Sequence, residues 1–136
     1  MFKVEEISRN LYFDENGYWK SRSAKDISYP SDSNEQCAEI EENSFWFNHR
    51  NSSIITVVRN FPPAGTILDI GGGNGYVAKG LIDAGFNCVL IEPGVAGASK
   101  AVERGIPDVI CASVESAEFY PHLMPSVGLF DVIEHI

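Results

Sequence analysis

The apolar run Thr66-Ile67-Leu68 leads directly into Asp69-Ile70-Gly71-Gly72-Gly73-Asn74-Gly75, and no other stretch of this chain restricts its fold so tightly. An apolar strand that ends in an acid and a string of glycines makes a tight turn at the end of a sheet. Glycine carries no Cβ and tolerates positive φ, so backbone there can approach a small polar ligand and point its amides at it. Behind the turn the pattern alternates strictly. The spacing predicts a strand over 66–70, a helix over 76–84 stopped by Gly85, and a strand over 87–91. A helix over 95–104 stopped by Gly105, a strand over 108–111 and a fourth strand over 127–130 follow. Short apolar strands alternating with helices of about ten residues call for an α/β fold, a parallel sheet with helices on both faces.

Upstream the chain reads differently. Tyr12-Phe13 and Tyr18-Trp19 flank Asp14-Glu15-Asn16-Gly17, a hairpin signal. Ser31-Asp32-Ser33-Asn34 predicts a turn, and 35–42 a short helix. Ser44 is the expected N-cap of a longer helix through Phe61, with Phe47, Ile54, Val57, Val58 and Phe61 as its apolar face and Pro62-Pro63 ending it. Residues 1–61 are thus expected to form a hairpin and helical cap beside the sheet formed by 62–136, in one structural unit.

Composition narrows the partners. The chain has 136 residues, enough for one domain with a real core, and 44% apolar and 21% charged residues suit an ordinary globular protein. The net charge of −9 is uneven, with no Lys or Arg after Arg104. Such a surface repels phosphate backbones, which argues against nucleic acid. No apolar run has the length of a membrane span, and the first residues do not read as a secretory signal. Cys37, Cys88 and Cys111 are far apart with no CxxC, which fits a reducing cytoplasm. The acid-rich run over 32–42 reads as a solvated face or the first half of a helix, and no His or Asp cluster with metal-ligand spacing accompanies it.

Glycine spacing separates the cofactor classes. A dinucleotide fingerprint needs G-x-G-x-x-G, and starting from Gly71 the third glycine is replaced by Tyr76. The order present is Asp69-x-Gly71-x-Gly73-x-Gly75. It resembles motif I of the class I S-adenosylmethionine-dependent methyltransferases, whose Rossmann-like sheets wrap this loop around the methionine and ribose of the cofactor. The resemblance makes Asp69, Gly71, Gly72, Gly73 and Gly75 cofactor-binding residues. Cys88-Val89-Leu90-Ile91 is an apolar strand ending in Glu92, seventeen residues after Gly75. A carboxylate accepts two hydrogen bonds, which suits paired ribose hydroxyls. In the resembling family an acid here does that, so Glu92 is the expected anchor, with Pro93-Gly94 passing under the adenine.

The later elements match less closely. Many family members place an acid after the third strand, against the adenine amino group, where this chain has Ser113. Ser113 and the amide of Val114 are the corresponding candidates. Leu129-Phe130-Asp131-Val132-Ile133-Glu134-His135 resembles the strand-four segment of small-molecule methyltransferases. That implies Asp131 at the cofactor's amino group and His135 as proton acceptor from an acceptor hydroxyl. Upstream, the segment over 42–51 resembles one preceding motif I in some bacterial members. Phe45, Trp46 and Phe47 there cannot all face one side of a helix; one or two of them, Trp46 foremost, are candidate covers for cofactor or substrate, and Arg50 is a partner for a carboxylate.

The resemblance therefore implies an S-adenosylmethionine-dependent methyltransferase acting on a small molecule, or its cofactor-binding part. A non-catalytic S-adenosylmethionine-binding module is the alternative, and a nicotinamide or flavin nucleotide protein is disfavoured by Tyr76. Family sheets usually carry seven strands, whereas the pattern here reaches four and reads as truncated. Strand four would be left as an apolar edge, so self-association through it, or continuation in a longer protein, is expected.

Overall fold

The computed structural model describes residues 1–23, 43–130 and 132–133. The expected turn over 31–34, the helix over 35–42, the acid run and Cys37 lie outside the described residues, as do Asp131, Glu134 and His135.

Three strands form the centre. β3 (Ile67–Ile70), β4 (Cys88–Ile91) and β5 (Val109–Cys111) run parallel, with Leu68 opposite Val89 and Leu90 opposite Val109. Every residue of β4 and β5 is buried, because the sheet is covered on both faces. α3 (Tyr76–Asp83) and α4 (Val95–Glu103) pack on one face, where Val77, Leu81, Leu90, Ala98 and Ala101 meet. α1 (Val4–Ile7) and α5 (Val114–Ala117) cover the other, against Leu68, Val89, Ile91 and Ile110. The two crossover helices end as expected at Gly85 and Gly105, whose φ of +96° and +83° favour glycine. Leu90 is fully buried, and its truncation to alanine would cost about 2–5 kcal/mol.

A fourth parallel strand, β6 (Ser126–Gly128), lies on the far side of β3, with Leu68 opposite Val127. The chain moves from β3 to β4 to β5 in one direction and then crosses back past its start. The carboxyl end of β3 is therefore a switch point, where an open crevice forms between diverging connections. β6 is last in the sheet, and among the described residues no strand pairs with its outer side.

The predicted hairpin forms from β1 (Leu11–Phe13) and β2 (Trp19–Ser21). The Asp14 carboxylate accepts the Asn16 amide at 2.9 Å, and Gly17 turns at a φ of +88°. Its position corrects the expected cap. β2 pairs in parallel with β5, Lys20 opposite Cys111, so the hairpin extends the sheet to the order β1-β2-β5-β4-β3-β6. Trp19 packs with the α1 face and Tyr18 with the α4 face, which locks the hairpin on from both sides.

α2 (Phe45–Asn60) begins after Ser44, but the Ser44 side chain makes no capping bond. Its inward stripe also differs from expectation. Val57 and Phe61 are 59% and 79% exposed, whereas Ile54, Ile55 and Val58 pack on the core and Asn51 is buried. The reason is Gly80 on α3. A Cβ there would lie 2.2 Å from the Asn51 Nδ2, so the bare glycine lets the two helices meet at a polar residue. Asn51 Nδ2 also donates to the Tyr76 carbonyl at 3.4 Å. Among the described residues no helix is long and apolar enough to cross a membrane.

Candidate functional site

Asp69 is the third residue of β3, and the same coverage that buries its strand buries its carboxylate completely. Neither oxygen has a hydrogen-bond partner among the described residues. Desolvation pushes this carboxyl up to about 7, the nearby Glu92 carboxylate adds to the rise, and the Arg50 guanidinium opposes it. A lone buried acid is costly, and such groups mark places where a ligand supplies the missing partner.

The chain leaves β3 through the glycine loop. Gly71, Gly73 and Gly75 have φ of +71°, +55° and +80°. They divide into different roles. A Cβ on Gly75 would stand 2.3 Å from the Ile106 Cδ1, and one on Gly72 would meet Leu90 at 2.1 Å and the Asp69 Oδ2 at 2.7 Å. Those two glycines are needed for packing. A Cβ on Gly73 would meet nothing within 4 Å, so its bare face opens onto the crevice.

Glu92 directly follows β4 and ties the loops together. Its Oε2 accepts the Gly73 amide at 2.9 Å and its Oε1 accepts the Gly94 amide at 2.8 Å. Burial raises its pKa, while the Gly94 and Gly73 amides hold the rise back. Each oxygen keeps lone-pair capacity for another donor. Pro93 follows, its carbonyl facing the Cys111 Sγ at 3.9 Å. α4 then starts so close that a Cβ on Gly97 would lie 2.9 Å from the Glu92 Cγ and 3.0 Å from the Gly73 carbonyl.

The first turns of α2 form the opposite wall. A cleft of about 150 Å³ lies between Phe47 and Arg50 on α2, Asp69, the loop over 71–73, Tyr76 and Phe130. The Tyr76 hydroxyl donates to the Asn48 Oδ1, joining α2 to the first residue of α3. Arg50 has its guanidinium 5.4 Å from the Trp46 ring centre and 5.3 Å from that of Phe47. Trp46 itself is 60% exposed and braces Arg50 from outside.

The structure thus brings together Asp69, Gly71, Gly72, Gly73 and Arg50 around one cleft, with Glu92 bonded to its glycine loop. Ser113 has a local task. Its Oγ accepts the Ser116 amide at 3.1 Å and its own amide donates to the Ser116 Oγ at 3.0 Å, so it caps α5, which Val114 begins. Phe47 and Phe130, from two segments that the resemblance sets near cofactor or acceptor, line the cleft, and so does Tyr76, which does not stand out as a site residue in the sequence. Tyr76 enters there only as a misfit to a glycine pattern, and its place directly after Gly75 is the available signal. A larger cleft of about 280 Å³ lies at the opposite, amino ends of the strands, between residues such as Thr66, Phe86 and Asp108. The smaller one is the better candidate, because it sits at the switch point and holds the unpartnered carboxylate. Cys88 and Cys111 are buried and unpaired, and burial pushes the Cys88 thiol up to about 12, which leaves it a small hydrophobe. No protein-family model matches the chain, and no curated protein matches it.

Proposed function

We propose that this chain binds S-adenosylmethionine at the carboxyl ends of β3 and β4, and that it is a methyltransferase for a small molecule or the cofactor-binding part of one. The observation that carries the reading is the pairing of a fully buried, unpartnered Asp69 with a glycine loop over 71–73 that lines the same cleft and leaves open space where a Cβ of residue 73 would stand. The residues fit the group. Asp69 has the charge to meet a cationic amino group, and the carboxylate of Glu92 keeps acceptor capacity for ribose hydroxyls beside the loop that it holds. Pro93, with Ser113 and Val114 beyond it, is proposed along the adenine. Asp131 and His135, outside the described residues, remain the proposed contacts to the methionine end and to an acceptor hydroxyl.

When bound, the cofactor supplies a methyl group on an electrophilic sulfonium, transferred by in-line displacement. The protein then has to position and desolvate rather than activate a nucleophile strongly. Phe47, Tyr76 and Phe130 give the cleft apolar walls, and Glu92 fixes the loop through two amides. The alternative, a binding module without turnover, shares all of these contacts. Titration calorimetry with S-adenosylmethionine and S-adenosylhomocysteine tests the reading: binding supports it, and absence of binding to folded protein at millimolar ligand refutes it. Transfer of a labelled methyl group to pooled small-molecule acceptors then separates enzyme from module.

A further inference from the structure

We infer that the larger cleft, at the amino ends of β3, β4 and β5, is a second ligand site, and that it takes a small amphipathic organic cation, an ammonium group on an aromatic or branched hydrocarbon body. It lies at the opposite ends of the strands from the glycine loop, so it stands apart from the cofactor reading.

The cleft, of about 280 Å³, is built where three strands begin. Thr66 stands just before β3, Asn87 just before β4 and Asp108 just before β5. The sheet fixes the backbone of two of them. The Asn87 carbonyl accepts the Ile67 amide at 2.9 Å, and the Asp108 carbonyl accepts the Leu90 amide at 3.0 Å. A frame held in this way loses little freedom when a ligand arrives. Apolar side chains reach the cleft from the layers on both faces of the sheet, Ile82 and Phe86 from the α3 side and Phe2 from the α1 side. Apolar walls with a few polar groups are the make-up of a small-molecule site.

Asp108 sets the charge of the ligand. Among the described residues that line the cleft, it has the only charged side chain. It is half-buried, and burial holds its carboxyl above the ordinary aspartate value. A hydrogen bond from the Trp19 side chain opposes that rise, and the charge of Glu5 adds to it. A carboxylate penalised by burial and by a second acid gains from a cation and repels an anion. The bond from Trp19 takes one acceptor position and leaves others for an ammonium. Thr66 and Asn87 bring neutral side-chain oxygens to the same lining. Size limits the body of the ligand. Drug-sized molecules occupy roughly 300–1,000 Å³, so a cleft just under that range suits one ring and a short stem.

The test follows amide chemical shifts of the isotope-labelled full chain during titration with 2-phenylethylamine, 2-phenylethanol and 3-phenylpropanoate, which share a ring and differ in charge. The amine is expected to give saturable shifts at residues 66, 86–89 and 108, with a roughly millimolar dissociation constant. It should bind at least about fivefold tighter than the alcohol, and the carboxylate should bind weakest. Asp108→Asn should bring the amine to within about twofold of the alcohol and leave the alcohol unchanged. Phe86→Ala should weaken amine and alcohol alike. Trp19→Phe removes the hydrogen bond to Asp108 but keeps the carboxylate, so the preference for the amine should survive it, which separates the charge from a structural role. Equal affinity for amine and alcohol in the native chain overturns the inference, whatever the variants do. So does an amine preference that persists in Asp108→Asn. Shifts that spread over the acidic surface without saturating also overturn it, because they report attraction by net charge alone. No outcome here bears on nucleoside binding at the other ends of the strands.

Discussion

Replacing Asp69 with asparagine should make the stability of the unliganded protein less dependent on pH between about 4 and 7 while weakening its site. The carboxyl titrates at about 7 in the fold, against 3.8 for an exposed aspartate. Between those two values the folded state holds a proton that the unfolded chain has released. Stability therefore falls as pH rises through this window, and the loss is complete above about 7. About three pH units at 1.36 kcal/mol each put the loss at about 4 kcal/mol. The amide that Asp69→Asn introduces has no such titration, although its own burial costs about 1–3 kcal/mol at every pH. Urea denaturation followed by circular dichroism at roughly pH 5, 6, 7 and 8 measures the difference. The native chain should lose up to about 1.4 kcal/mol per pH unit more than the variant on the way to pH 7. Ligand binding should run the opposite way, because an ammonium needs the ionised carboxylate, so affinity for S-adenosylhomocysteine should rise with pH through the same window. Parallel stability profiles for the two proteins would refute the reasoning, since they would mean that Asp69 is solvated or paired.

The glycines offer a contrast. Gly73→Ala should fold with a loss of only about 1–2 kcal/mol, the cost of a left-handed alanine, yet lose ligand affinity by calorimetry. Gly72→Ala should instead lower the melting temperature sharply, because its Cβ would collide with Leu90 and Asp69. Glu92→Gln should weaken nucleoside binding by about 1.5–3 kcal/mol and also lower the unliganded melting temperature, since an amide can accept only one of the two loop N–H groups. Unchanged melting would mean that the loops hold themselves. Gly80→Ala should dislodge α2 by forcing a Cβ against Asn51, and adding Asn51→Ala should recover much of that stability in a double-mutant cycle.

The alternation from β3 to β5 is legible in the sequence because these strands are covered on both faces and so are apolar runs, broken only by Asp69 in β3, and because β4 and β5 are each reached through a helix that ends at a glycine. The loop and Glu92 are legible for a related reason, since acids and glycines at strand ends have few purely structural uses. Pairing at a distance is not. Nothing local in Trp19-Lys20-Ser21 says that β2 will lie against β5 rather than in a separate cap. An apolar stripe along α2 points inward at Val57 and Phe61, and the fold does not follow it. The actual contact runs through Asn51, and only the missing side chain of Gly80 makes room for it. Ser113 caps α5 with Ser116 as its reciprocal partner, where the familiar signature has Glu or Gln, so that cap is hidden as well.

The bare first turn of α4 has a mechanical consequence. Position 97 abuts both the Glu92 side chain and the Gly73 carbonyl. Anything larger than hydrogen there would drive a wedge between the two, prising open the bond that joins them. The spacing between Glu92 and the loop is thus set by how near one helix can stand to the sheet. A methyl group at that position would act as a spacer, shifting Gly73 at the edge of the cleft without adding any new group to its lining.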